Sequence, residues 1–288
     1  MSTAVIGATG RVGSQIVRGV LARGDTVAAL VRDPGKARSA FGEPGGLHIR
    51  PTRLDDPRDL AEALDGIRTV FIAMGSTGIE GVLQRIAINA AAGISSIEQV
   101  TRLSVLNTSA DSLGINQRAH YSIDQFASST AVPCSTIRPA IFSASLLAAA
   151  SEVRASRTWT GLAGRGRTAL IDHRDVAEAG LRVLTDPALW GAHHDLTGPV
   201  PLSWPEALEL LSAELGEPIT FRVAAERQLL DRLTGAGIPA GTAELLITRE
   251  WAILAGENDY TTGTFQQITG RPPHPVAEFL HEYRAEFT

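Results

Sequence analysis

The first half of the chain alternates between two hydrophobic rhythms. Residues 4–6, 27–31, 47–50, 70–73, 97–103 and 134–138 are short apolar or β-branched runs, the pattern of strands. Between them, apolar positions recur every three or four residues. Val12, Ile16, Val17, Val20 and Leu21 fall on one helical face, and 57–64, 79–92 and 118–129 repeat that spacing. Strand, helix, strand repeated this way predicts a parallel sheet with helices on both faces. The run Val70-Phe71-Ile72-Ala73 is apolar throughout, as a strand buried on both sides requires.

The rhythm breaks after Pro139. Residues 151–167 hold Gly161, Gly164 and Gly166 among four arginines and read as loop. Residues 168–171 return as a strand and 176–184 as a helix. Ser203-Trp204-Pro205-Glu206 is a capping box with proline in the first turn, opening a helix that stops at Gly216. A strand near 219–223 and helices near 226–234 and 242–254 follow. The expected architecture is α/β, with a Rossmann-type doubly wound parallel sheet. Residues 1–150 form the dinucleotide-binding part, and 168–185 return to it. Residues 151–167 and 186–288 form a smaller α-rich C-terminal substrate region, packed over the carboxyl ends of the strands.

Composition changes this picture little but narrows the function. The chain has 288 residues, 44% hydrophobic and 20% charged, ordinary for a folded protein. A net charge of −5 argues against nucleic acid, whose phosphates need a positive face. Cys134 is the one cysteine, which excludes an internal disulfide and fits a reducing compartment. No apolar run reaches the ~20 residues that span a bilayer. The opening MSTAVIGATG has no basic stretch before an apolar run. A cytoplasmic protein with no membrane and no nucleic-acid partner is expected. Lys36 is the only lysine, so every lysine mechanism elsewhere is excluded.

Gly7-Ala8-Thr9-Gly10-Arg11-Val12-Gly13 follows the first strand and opens the first helix. Gly7 permits a tight turn, Gly10 lets backbone N–H groups approach a pyrophosphate, and Gly13 lets helix and sheet pack closely. The helix N-terminus then faces the anion. A glycine turn without a ligand is the competing reading. The second strand ends Leu30-Val31-Arg32-Asp33. An acidic residue here serves the ribose hydroxyls of NAD, whereas an arginine accommodates the 2′-phosphate of NADP. Arg32, Lys36 and Arg11 are expected to converge and favour NADP(H). Asp33 could instead make the site NAD-tolerant, and Arg32 and Lys36 could be plain solvated charges.

GATGRVG, ALVRDPGKA, LDDPRDL, VTRLSVLN at 100–107, STIRPAIF at 135–142, IDHRDVAEAG at 171–180, DLTGP at 195–199 and TGRPP at 269–273 occur in this order. Together they resemble the NmrA-like group of atypical short-chain dehydrogenases/reductases. That group includes NADPH-dependent quinone reductases, aromatic-ether and isoflavone reductases, and regulatory proteins that bind the dinucleotide. The resemblance implies NADP(H), with its phosphates at Thr9 to Val12 and its 2′-phosphate at Arg32 and Lys36. It implies that Ala73, Met74 and Gly75 line the cofactor ribose. Ser104 would lie near the nicotinamide, and Pro139 to Phe142 would close over its edge. Relatives tend to read Gly-Asp-Leu at the third strand, where this chain has Thr52-Arg53-Leu54, so the adenine contact made by that aspartate is in question.

The chemistry is less plain. Short-chain dehydrogenases use a tyrosine acid primed by a lysine four residues on. Tyr121 is the candidate here, but Gln125 occupies the lysine's place. His120, with Asp124 one turn along, could relay a proton near pH 7, or both could simply face solvent. Two functions remain. In one, hydride passes to a quinone or conjugated carbonyl, an aromatic or quinonoid small molecule whose anion is protonated by water. In the other, the protein binds NADP(H) as a redox sensor and acts through a protein partner. His120, Tyr121 and Ser104 are the candidate catalytic residues. A homodimer is kept open. No metal site is expected: His193 and His194 adjoin on a strand and point to opposite faces, and His173, His274 and His281 show no ligand spacing. Cys134 reads as a core cysteine, Asp172 and Asp175 as loop-ordering and capping residues, and Trp251 and Tyr260 as core packing, with the lining of a substrate pocket as their alternative.

Overall fold

The structure is a computed structural model and describes residues 2–75 and 77–288. The first half runs β1 Ser2–Ile6, α1 Arg11–Ala22, β2 Thr26–Val31, α2 Pro34–Phe41, β3 Leu47–Pro51, α3 Pro57–Ala63, β4 Thr69–Ile72, α4 Ile79–Ala92, β5 Gln99–Leu103, α5 Ile115–Ser128 and β6 Cys134–Pro139. Then come α6 Ala150–Ser156, β7 Thr158–Gly161, β8 Arg167–Thr168, α7 His173–Thr185, β9 His193–Leu196, β10 Leu202–Ser203 and α8 Trp204–Leu215. The chain ends through β11 Thr220–Val223, α9 Glu226–Gly235, α10 Ala240–Leu254, α11 Thr264–Thr269 and α12 Val276–Glu282.

Seven strands form one sheet in the order β3-β2-β1-β4-β5-β6-β9, and every neighbouring pair is parallel. The order reverses between β1 and β4, the place where doubly wound sheets bind ligands. Each face of the sheet buries its own cluster. Val12, Ile16, Val17 and Val20 of α1 pack with Val176, Val183 and Leu184 of α7 on one side. Leu60, Ala87, Ile88, Ala91 and Ile123 of α3, α4 and α5 pack on the other. The buried run Val70-Phe71-Ile72 contributes to both. The C-terminal region has a core of its own around Trp159, Trp204 and Phe279. No helix of the described residues is long and apolar enough to cross a membrane.

The capping box forms as the sequence predicts: Ser203 Oγ accepts from the Glu206 N–H, the Ser203 N–H donates to the Glu206 carboxylate, and Gly216 ends α8 in the left-handed conformation. Elsewhere the structure corrects the expectation. Residues 151–167 are not all loop, because α6 and β7 occupy most of them. β7 exists through its pairing with β11, from Thr158 opposite Thr220 to Gly161 opposite Val223, a partner too distant for local pattern to reveal. The glycines there serve packing, since a Cβ on Gly161 would lie 2.8 Å from the Phe221 ring. Of 168–171 only Thr168 is in a strand, and Ile171 makes a single bridge to Phe142. α2 was not anticipated, although Pro34 and the Asp33 cap start it. β9 joins the large sheet, although 186–288 was expected to lie outside it.

Candidate active site

A cavity of about 870 Å³ opens at the carboxyl ends of β1, β2 and β4. Its floor is the glycine loop: Gly7, Thr9 and Gly10 line it, as do Ala73, Met74 and Gly75. Gly7 takes φ +79°, and a Cβ there would sit 2.1 Å from the Ala73 carbonyl oxygen. A Cβ on Gly13 would sit as close, 2.2 Å from the Gly7 carbonyl oxygen. The expected turn and the expected helix–sheet approach are therefore both present. Val12 and Gly13 lie in the buried face of α1 beneath the loop. Pro239, Thr242 and Leu245, at and beside the start of α10, form the opposite wall.

Arg32 and Lys36 both line the cavity, and among the described residues neither has a carboxylate partner. Asp33 lines it too, but its Oδ1 accepts the Lys36 N–H at 3.1 Å as the cap of α2. Arg11 does not join them. It is exposed at the first position of α1, and its charge acts on His173. The three expected cations are thus two. At the third strand Arg53 turns away to Asp56 and Asp59, and Leu54 lines the cavity instead.

Ser104, His120 and Pro139 lie toward the β5 and β6 side, within or beside a buried polar network. Arg102 of β5 is fully buried, and Asp124 of α5 is 1% exposed. Asp124 pairs with Arg102 and with Arg138 of β6, the latter at 2.7 Å. It also accepts from Ser104 Oγ at 3.2 Å and Thr108 Oγ1 at 3.1 Å. Arg102 further donates to His120 Nδ1 at 2.8 Å and to Gln84 Oε1 at 3.2 Å. The expected His120–Asp124 relay therefore does not form, because the carboxylate is already taken by two guanidiniums and two hydroxyls. Nor does the pair face solvent, since both residues are buried. Burial and the Arg102 charge push the His120 pKa well below its ordinary value, so the imidazole is neutral at pH 7 and is no acid. Tyr121 is half-buried, and Gln125, four residues on, is exposed. Gln84, Arg102 and Arg138 are site residues the sequence reading missed. The available signal was a charged residue, Arg102, within a strand whose neighbours in the sheet read as buried.

The chain matches the NmrA-like family over residues 2–262. It belongs to that family. The NAD(P)H azoreductase of Xenophilus azovorans is 30% identical over 293 residues, covering 98% of each chain. Quinone oxidoreductase 2 of Escherichia coli is 23% identical over 278 residues, covering 96% of each. Among solved structures, the NADPH-dependent quinone oxidoreductase of Escherichia coli with NADPH superposes with a TM-score of 0.90 at 22% identity, covering 98% and 99%.

In this NmrA-like chain, motifs far apart in sequence meet. Asp175 of IDHRDVAEAG is fully buried and accepts from Arg271 of TGRPP at 2.7 Å and from His274 Nδ1 at 2.6 Å. Asp172 caps α7 by accepting the Arg174 N–H at 2.8 Å. Both act as the loop-ordering residues the sequence suggested. Burial pushes the Cys134 thiol up to about 12, so it is no nucleophile. His193 is exposed and His194 buried, on opposite faces of β9. Trp251 and Tyr260 are not core: they are 40% and 36% exposed, and neither lines the cavity. The Tyr260 hydroxyl donates to Asn107 Oδ1 at 2.8 Å, and Asn107 holds a left-handed φ of +57°.

Proposed function

We propose that this protein is an NADPH-dependent oxidoreductase that passes hydride to a quinone or similar conjugated, electron-poor small molecule. The observation that carries this is a pair of cations, Arg32 and Lys36, that have no carboxylate partner among the described residues and stand on the wall of the cavity that the glycine loop floors. A dinucleotide suits that donor set: a helix N-terminus and backbone N–H groups for the pyrophosphate, and two exposed cations for a 2′-phosphate. NAD(P)H azoreductase and quinone oxidoreductase, as relatives that align over nearly the whole chain, support the same class of acceptor.

In this reading Thr9 to Val12 hold the phosphates, and Ala73 to Gly75 run along the ribose. Ser104 and Pro139 border the nicotinamide. NADPH supplies the hydride when bound. The α10 residues Thr242 and Leu245 line the same cavity, and the glycine loop fixes the phosphate register. Tyr121 has no lysine to prime it, and His120 is neutral, so neither is the essential acid. The reduced acceptor is a stabilised anion and takes its proton from solvent.

The test is NADPH oxidation against a panel of quinones, enones and azo compounds. At least one acceptor should raise oxidation well above background. Tyr121→Phe should lower kcat by much less than the ~10²–10⁴ that loss of a general acid costs. Bound NADPH with no acceptor turned over across the panel would replace this reading with the redox-sensing one.

A further inference from the structure

Burying a guanidinium is costly unless its donors are spent on good acceptors. Arg102 is fully buried, and its three side-chain nitrogens go to three different side chains on two helices, α4 and α5. One amino group donates to Asp124 of α5. The other donates to His120 Nδ1 at 2.8 Å, and Nε donates to Gln84 Oε1 of α4 at 3.2 Å. An arginine has no acceptor. His120 Nδ1 must therefore be the unprotonated nitrogen, and the ring proton sits on Nε2. The same reasoning fixes Gln84. Its carbonyl oxygen faces Arg102, so its NH₂ faces the other way, 3.3 Å from the Met74 carbonyl oxygen and 2.5 Å from that of Gly75. Met74 and Gly75 line the cavity. The charged group on the imidazole is Arg102 from β5; Asp124, on the same helix as His120, is spent on Arg102 and on Arg138 of β6.

We propose that Arg102 is a positioning residue with two outputs: it holds His120 as a fixed Nε2–H donor and, through Gln84, holds the Met74–Gly75 backbone that borders the cofactor cavity. Its functional meaning rests on NADPH occupying that cavity, but the bonding pattern does not. A neutral histidine with a set tautomer presents one N–H in one direction at every pH where the protein works. A loop pinned through both carbonyls is preorganised for its ligand.

The experiment is ¹⁵N NMR of the full chain labelled at histidine, without cofactor. His120 is assigned from its loss in His120→Gln, and NADPH Kd is measured in parallel. The wild type should show His120 as the single Nε2–H tautomer, unchanged from pH 6 to 8. Gln84→Met should raise the NADPH Kd about tenfold, as loss of a buried hydrogen bond does, and leave the His120 pattern alone. Arg102→Met should change both. A wild-type His120 with its proton on Nδ1, or a tautomer mixture, overturns the proposal. So does an Arg102→Met protein with the wild-type His120 pattern, or a Gln84→Met protein with the wild-type Kd. Should Arg102→Met fail to fold, the wild-type spectrum and Gln84→Met still decide. A wild type that binds no NADPH defeats the functional reading and leaves the tautomer result standing.

Discussion

The two sides of the site use cations in opposite states. Beside β2, Arg32 and Lys36 line an open cavity and have no carboxylate partner among the described residues. Beside β5 and β6, Arg102 and Arg138 share Asp124 and are tied to Ser104, His120, Thr108 and Gln84 through it or directly. The difference follows from water. A solvated cation is cheap to leave unpaired and stays available to a phosphate. A desolvated one must be matched in place, so it can order its neighbours but cannot also take up a ligand. The same residue type binds at one end of the site and positions at the other.

This contrast breaks most visibly at Asp124. Asp124→Ala would leave two guanidiniums without their carboxylate, and removing one partner of a buried pair costs about 3–5 kcal/mol. Urea unfolding should show a loss of that size. Arg102→Met should cost clearly less, because Arg138 and Asp124 remain a balanced pair and an apolar side chain of similar length fills the space. Arg32→Ala, at a solvated position, should stay within about 0.5 kcal/mol. Equal losses for Asp124→Ala and Arg102→Met would show that charge balance does not govern the network.

A smaller effect comes from the histidines. Burial lowers the pKa of His120, His173 and His194. Unfolded, each binds a proton below about pH 6.5; folded, each resists protonation until a lower pH. The unfolded state therefore takes up more protons in that window. Stability is full above about pH 6.5 and falls as pH drops, and buried His120 alone contributes a slope of up to about 1.4 kcal/mol per pH unit. Unfolding free energies at pH 7.5 and 5.5 should differ in that direction. His120→Gln, whose amide oxygen can still accept from Arg102, should lessen the slope.

The β2 side was legible in the sequence because its signals are local. The glycines, Arg32 and Lys36 sit within thirty residues of one another, on a strand, a turn and a helix start. The parallel sheet was legible for the same reason, since each buried strand announces itself. The β5–β6 network was not. Gln84, Arg102, Asp124 and Arg138 come from four elements, and periodicity cannot say which charges meet once strands align. His120 and Asp124 at helical spacing suggested a pair, yet two arginines from neighbouring strands claimed the carboxylate first. β7 was hidden in the same way, because its partner β11 lies far along the chain.

The central claim is that the exposed cations beside β2, Arg32 and Lys36, read a 2′-phosphate. Equilibrium titration of wild type and Arg32→Ala with NADPH and NADH tests it most directly. A charge-assisted contact of this kind is worth roughly 1.5–3 kcal/mol. NADPH should therefore bind the wild type more tightly than NADH, and Arg32→Ala should weaken NADPH by about 10- to 100-fold while leaving NADH nearly unchanged. Equal losses for the two dinucleotides, or a wild type that does not distinguish them, would contradict the account.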